Sequence, residues 1–198
     1  MEPLRSGLAL SRRLRLRPYA VRKPPSYRVR QPGDLVEVDT LDLRPLPGVV
    51  LKQFTARDVL SRWDVVEAHR RATATTAAGF LDTLQHRMPF PIRALQVDGG
   101  SEFAVAFEQA CRARGLRLFV LPPRSPQLKG AVERAQRTHT EEFYEVTQFS
   151  LEMAALNREL RAWEEVYNTV RPHQALGYLT PQQFLAQWQS QPKEAECH

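Results

Sequence analysis

The sequence predicts an α/β fold, a five-stranded mixed sheet of three antiparallel strands followed by βαβ-type units, with helices on both faces. Three observations predict it. Between residues 35 and 69 the apolar pattern yields three successive strand segments joined by short links. After Thr73 the spacing becomes helical, and two short apolar strands then alternate with helical stretches. Three helical stripes close the chain, so the element order is βββ-α-β-α-β-α-α-α.

Each element has its own signal. Residues 35–43 alternate Leu35, Glu37, Asp39, Leu41 against Val36, Val38, Thr40, and a turn is expected over Pro45–Gly48. Val49–Val59 and Trp63–His69 complete a meander. Ala77, Phe80, Leu81 and Leu84 mark a helix over Thr73–Met88, stopped by Pro89. Ile92–Val97 is a short strand that ends at Asp98-Gly99-Gly100. Phe103–Arg114 reads as one helix closed by Gly115, and Leu116–Leu121 as a strand covered on both faces. After the Pro122–Pro126 loop a long helix is expected over Gln127–Thr147, with Leu128, Val132, Ala135, His139, Phe143 and Val146 as its core stripe. Ser150 is placed to cap a helix carrying Leu156, Leu160, Trp163, Tyr167 and Val170. Thr180-Pro181-Gln182-Gln183 has the form of a capping box opening a last short helix.

Composition bounds the function. The chain has 198 residues, 42% hydrophobic and 25% charged, as in a soluble globular protein. It has no apolar run long enough to cross a membrane and no signal-peptide pattern. Cys111 and Cys197 form neither a disulfide framework nor a zinc spacing, and the five histidines are scattered. A reducing, cytoplasmic setting is expected. The net charge of +6 is concentrated at one end: residues 1–30 hold nine Lys/Arg against Glu2, leaving 19 basic and 21 acidic groups elsewhere. The division expected is a basic, Pro-containing arm or linker over 1–32, a core with a C-terminal helical extension over 33–190, and a tail over 191–198. A basic arm suggests contact with phosphate backbones, or else a solubilising tail.

Three acidic residues stand out. Sites in open sheets form at the carboxyl ends of strands. Asp39 lies in the first strand, and Asp98 lies just past the fourth. If those strands are neighbours, the two carboxylates face each other. Glu133 follows Asp98 by 35 positions, on the margin of the long helix's buried face. Converging carboxylates repel unless a cation is present. Oxygen ligands without His or Cys select Mg²⁺ or Mn²⁺, and two such ions about 3.5–4 Å apart can clamp an in-line phosphoryl transfer. Singly, each residue has a plainer reading: a solvated strand residue, a glycine turn, and a helix pair between Glu133 and Arg137.

Val38-Asp39-Thr40, Val97-Asp98-Gly99-Gly100-Ser101-Glu102-Phe103 and the run Ser125–Arg134 that contains Glu133 resemble the catalytic core of insertion-sequence transposases and retroviral integrases, the D,D,E superfamily. The tail from Trp163 through Asn168, Arg171-Pro172-His173 and Leu176-Gly177-Tyr178 to Pro181 resembles that family's C-terminal signature. The resemblance covers residues 31–188. It implies a ribonuclease H-like fold, DNA cleavage and strand transfer, and a nucleoid-associated bacterial protein. It implies two Mg²⁺ or Mn²⁺ ions held by Asp39, Asp98 and Glu133 as catalytic residues. It also implies DNA contacts by Ser125, Gln127, Lys129 and Arg137, and a homo-oligomer acting on element ends and target DNA. Asn168, Arg171 and His173 either bind DNA or fix the turn after Pro172. Full-length relatives carry helix-turn-helix modules ahead of the core, which residues 1–30 cannot hold. The expectation is therefore a truncated product or one half of a split system with a separate helix-turn-helix subunit. A remnant that binds DNA or partner subunits without transposing is the alternative.

Overall fold

The structure is a computed structural model that describes residues 19–122 and 130–190. Five strands form one sheet: β1 (Val36–Leu46), β2 (Val49–Asp58), β3 (Asp64–His69), β4 (Ala94–Val97) and β5 (Arg117–Val120). Their spatial order is β3-β2-β1-β4-β5. β1, β2 and β3 pair antiparallel, whereas β4 and β5 run parallel to β1. The helices are α1 (Ala74–Arg87), α2 (Ala106–Ala113), α3 (Gly130–His139), α4 (Met153–Thr169) and α5 (Pro181–Ser190).

The strand alternation sorts residues between two cores. Val36, Val38, Phe54, Ala56, Val65, Leu95 and Val97 meet α1 and α2 residues such as Phe80, Leu84 and Phe107 on one face. On the other face Leu43, Leu51, Val66 and Ala68 meet Phe143, Leu156 and Leu160. Between these apolar ends, the second face carries a buried polar stripe: Glu37, Asp39, Gln53, Thr55, Arg57, Asp64 and Gln96. Buried polar groups require partners, and α3 and α4 supply many of them.

The sheet edge shows how. β3 is terminal, with outward N–H and C=O groups open to pairing. Three α4 side chains meet them. Asn157 takes the Ala68 amide at 2.7 Å and donates to its carbonyl at 2.9 Å; Glu164 accepts from Val66 N–H at 3.0 Å; Asn168 bonds both backbone groups of Asp64 at 2.8 Å. The helix thus substitutes for a sixth strand.

Several expectations are refined. β1 continues to Leu46 with irregular pairing after Leu43, because Pro45 has no N–H for the ladder; the turn is Pro47-Gly48, with Gly48 at φ 79°. The single helix expected over Phe103–Arg114 is broken. A 3₁₀ turn, Ser101–Phe103, precedes Val105 at φ 45°, and α2 starts after it. Phe103 and Phe107, edge to face at 5.2 Å, anchor both pieces. The long helix changes character at Thr140–Tyr144, where a π turn adds a residue. That rotation exposes Val146, whereas Val132, Ala135, His139 and Phe143 are buried as expected; Leu128 lies outside the described residues. Glu152, rather than Ser150, caps α4, and Ser150 Oγ accepts from the Glu152 amide. The Thr180/Gln183 capping box forms as expected.

Residues 19–32, expected as an extended linker, lie along β5. Val21 bridges to Phe119, the Tyr19 hydroxyl donates to Leu116 O at 2.7 Å, and Tyr27 packs edge-on against Phe119. The Tyr19 hydroxyl, the Val21 backbone and the Tyr27 ring hold this stretch to the sheet. Among the described residues no helix is long and apolar enough to cross a membrane.

Candidate active site

β1 and β4 are adjacent and parallel, with Val36 opposite Leu95 and Glu37 opposite Gln96. The same register carried two residues on brings Asp39 level with Asp98. Adjacent strands lie about 4.8 Å apart. Side chains two positions apart share a face, so Asp39 and Asp98 join Glu37 and Gln96 on the α3 side. Asp39 is buried and Asp98 half-buried just past the end of β4. The Gly100 amide donates to Asp98 Oδ1 at 2.7 Å and holds that carboxylate at the strand end.

Gly100 has an ordinary φ of −55°, and its role is close approach. A Cβ there would lie 2.8 Å from Asp98 Oδ1 and 2.7 Å from Glu102 Oε2. Glu102 also accepts from the Thr40 hydroxyl at 2.9 Å. A further carboxylate therefore stands beside β1, near the end of β4. Sequence reading quoted Glu102 but assigned it no role, since only the 3₁₀ turn brings it back toward β1.

α3 is docked to the same face through Glu37. The Glu37 carboxylate accepts from the Ala131 amide at 3.1 Å and the Val132 amide at 2.9 Å, and Gln96 Nε2 donates to it at 3.5 Å. Burial raises the Glu37 pKa against the opposing effect of the two amides. These amides lie in the first described turn of α3, where helix N–H groups take side-chain acceptors. Glu37→Ala should therefore cost about 1–2 kcal/mol, the range of a lost N-cap. Urea unfolding of parent and variant measures it, and coincident midpoints would remove Glu37 from this role. Sequence reading placed Glu37 in the strand pattern without a function, because its partner is 94 residues away.

Glu133 follows Val132 on the first turn of α3 and is exposed. Among the described residues no three His, Cys, Asp or Glu side chains are grouped closely enough to hold a metal ion. The β1–β4 pairing thus ends two residues short of Asp39 and Asp98, Glu133 lies on the helix docked to β1, and the three do not form one cluster among the described residues. Glu133 makes no ion pair with Arg137, which is exposed. Ser125, Gln127 and Lys129 lie outside the described residues. One turn after Glu133, the buried Gln136 Nε2 has no hydrogen-bond partner among the described residues.

Behind α3 lies a buried charged network. Asp64 meets Arg57 Nη2 at 3.0 Å and His139 Nε2 at 2.8 Å. Gln53 Nε2 approaches His139 Nδ1 at 3.0 Å while Gln53 Oε1 accepts from the Tyr144 hydroxyl at 2.5 Å. With Gln53 as donor, the imidazole proton sits on Nε2, toward Asp64. Arg57 also bonds the Tyr167 hydroxyl and, at 3.3 Å, the Ala131 carbonyl at the start of α3.

The C-terminal signature residues have structural work. Asn168 seals the β3 edge, as above. Arg171 pairs with Glu142, Nε to Oε2 at 2.7 Å, and its guanidinium lies over the Tyr167 ring at 5.4 Å. His173 exchanges backbone bonds with Leu179 and Tyr178. Burial first, and then Arg57 and Arg171, pushes the His173 pKa down to about 4.

Residues 114–181 match the family model of the integrase core domain. The fold is similar to that of integrase catalytic cores. A chain of the simian T-cell lymphotropic virus intasome, solved in complex with PP2A regulatory subunit B56 gamma, superposes with a TM-score of 0.66 at 16% identity. The superposition covers 88% of this chain and 61% of that one. The BIV integrase catalytic core domain gives 0.61 at 20% identity, covering 79% of this chain and 96% of the other. At these identities the likeness concerns the ribonuclease H-like fold. In sequence, the chain is 26% identical over 184 residues to an uncharacterized 31.7 kDa protein of insertion element IS407 from Burkholderia multivorans (strain ATCC 17616 / 249). That alignment takes in 91% of this chain, which spans 65% of the relative's length. The matched residues 114–181 take in β5, α3 and α4, whereas β1 and β4 precede them.

Proposed function

We propose that this integrase-like core cuts DNA and joins the freed 3′-end to a target strand, as an insertion-sequence transposase, with Asp39, Asp98 and Glu133 as catalytic, metal-holding residues. The observation that carries this reading is the parallel β1–β4 pairing, which ends at Glu37 and Gln96, two residues before Asp39 and Asp98, beside the helix bearing Glu133. The match to the integrase core domain over residues 114–181 supports it.

The donor set fits Mg²⁺ or Mn²⁺, being oxygen alone. When bound, such a pair of ions activates the attacking oxygen and stabilises the leaving one. The chain's own part is positional. β1 fixes Asp39 in a central strand, the Gly100 amide orients Asp98, and Glu37 ties the start of α3 to β1. Three carboxylates without a cation repel; Asp39, Asp98 and Glu133 would hold the ions, with Glu133 supplied from the first turn of α3. In the first step water breaks a P–O bond at the element end and leaves a 3′-hydroxyl. In the second, that hydroxyl attacks a target phosphodiester: one P–O bond forms, one breaks, and no protein–DNA covalent link arises. Arg137, with Ser125, Gln127 and Lys129, contacts DNA. Cores act in pairs or larger assemblies on two element ends, with a separate helix-turn-helix subunit for end recognition.

The test is nicking of supercoiled plasmid by the purified chain in Mn²⁺ or Mg²⁺. Nicking that stops in EDTA is expected. DNA binding without any cutting in either metal would replace this reading with that of a binding remnant.

A further inference from the structure

We infer that the cavity between the β2–β3 turn, the start of α3 and the turn after α4 holds a backbone phosphate of DNA, a second contact point beside the proposed active site. The inference deepens the proposed DNA reaction and rests on it for the choice of DNA as the phosphate's source.

The cavity measures about 720 Å³ and draws its lining from four parts of the chain, including Arg62, Ala131, Arg134, Arg171, His173 and Tyr178. It is bordered by four arginines, which are not equivalent. Arg57 is neutralised by Asp64, and Arg171 by Glu142. Arg62 and Arg134 form no ion pair or side-chain hydrogen bond with any described residue. Arg134 is exposed, whereas Arg62 is half-buried; burial first and then the Arg57 charge lower its pKa, with the Glu37 and Asp58 carboxylates opposing. A partly desolvated cation beside another cation gains from a further anion in the cavity.

The turn holds Arg62 in place. Its backbone is left-handed, φ 61°, a conformation unusual for a residue with a side chain. Asp58 maintains it. Oδ2 accepts from the Ser61 hydroxyl and amide, both at 2.7 Å, Oδ1 accepts from Gly33 N–H at 2.9 Å, and the Asp58 carbonyl accepts from Arg62 N–H at 3.1 Å. Tyr178, also left-handed at φ 65°, is 69% exposed at the cavity and offers its ring to a sugar or base. The depressed pKa of the buried His173 is consistent with a positive potential here, since Arg57 and Arg171 contribute to it.

Position points to a strand of DNA. Arg134 and Glu133 are consecutive on α3, about 100° apart around the helix. Arg134 lines the cavity, and Glu133 beside it stands on the helix that Glu37 docks to β1. A polynucleotide lying across the start of α3 therefore meets both. Such a contact sets the register of the backbone and reads no sequence. Sequence reading had no signal for Arg62, which sits in a short polar link and gains meaning only beside α3 and the α4 turn.

The test uses the full chain, the double variant Arg62→Ala/Arg134→Ala, and Arg62→Lys/Arg134→Lys. Binding to a labelled duplex is measured in EDTA across a salt series, so the outcome does not depend on catalysis. The alanine pair should lose about tenfold in affinity and flatten the log–log salt slope by about 1–2 units, while the lysine pair should recover most of both at unchanged thermal stability. In a parallel arm, inorganic phosphate should shift the Arg62 and Arg134 Nε–H resonances of the parent, and duplex DNA should compete with it. Parental affinity and slope in the alanine pair would overturn the proposal. So would phosphate-induced shifts with unchanged DNA binding, which would mark a site for free anions. If plasmid cutting fails but this charge dependence holds, the catalytic reading falls and the phosphate site stands.

Discussion

Asp98→Asn should abolish Mn²⁺-dependent nicking while leaving the fold intact. Even residues that merely orient a metal ligand cost about 10–100-fold when changed, so loss of the ligand itself should reduce nicking by at least about a hundredfold. The amide is close to isosteric, and its oxygen can still accept the Gly100 N–H that holds the carboxylate now. Asp98 is half-buried at a strand end, outside both apolar cores. The thermal midpoint should therefore move by no more than about 1–2 °C. Asp39→Asn should give the same loss. Plasmid assays with circular dichroism on the same preparations separate chemistry from folding. An Asp98→Asn protein that nicks as fast as its parent would take this residue out of the metal shell.

Asp64→Ala should produce the largest loss of stability. The carboxylate is buried between Arg57 and His139. Its removal strands a guanidinium that is itself only 2% exposed. Breaking a buried pair from one side costs about 3–5 kcal/mol. For a chain of this length that corresponds to a fall in Tm of about 6–20 °C. Burial works to raise the Asp64 pKa, but the Arg57 charge and the His139 hydrogen bond outweigh it, and the net shift is downward. A depressed carboxylate stabilises the fold above its unfolded pKa, near 4. That contribution is lost as pH falls below about 4 through the folded value. Acid titration of stability should show this loss in the parent and not in Asp64→Ala. A variant within about 1 kcal/mol of the parent in urea would mean that the network carries little of the fold. Because Arg57 also bonds the Ala131 carbonyl, surviving Asp64→Ala protein should also cut poorly.

The strands were readable because their signal is local. Val36 and Val38 alternate with Glu37 and Asp39 within four residues, and each side of that alternation meets a different core. α1 was readable for the same reason, with Ala77, Phe80, Leu81 and Leu84 on one face, whereas the capping box at Thr73 showed only in the structure. The break at Val105 and the π turn at Thr140–Tyr144 left no such mark. A helical periodicity continues through both places, and only packing against the sheet decides that one segment bends and the other takes an extra residue. The Glu133–Arg137 pair, plausible from an i,i+4 spacing, does not form, which leaves Arg137 exposed for the DNA contact proposed above.

The sequence by itself determined the element order, the alternation that makes a two-faced sheet, and the motifs in which Asp39, Asp98 and Glu133 stand. These depend on neighbours a few positions apart and on residue chemistry. Only the tertiary structure decided that β4 lies parallel beside β1 and levels Asp98 with Asp39. Likewise, it alone gave Glu37 the start of α3, Asp64 its two buried partners, and Arg62 a place opposite Arg134. Each of those outcomes joins groups distant along the chain, and which distant groups meet is set by the burial of two cores and the pairing of buried polar atoms, neither of which a local pattern encodes.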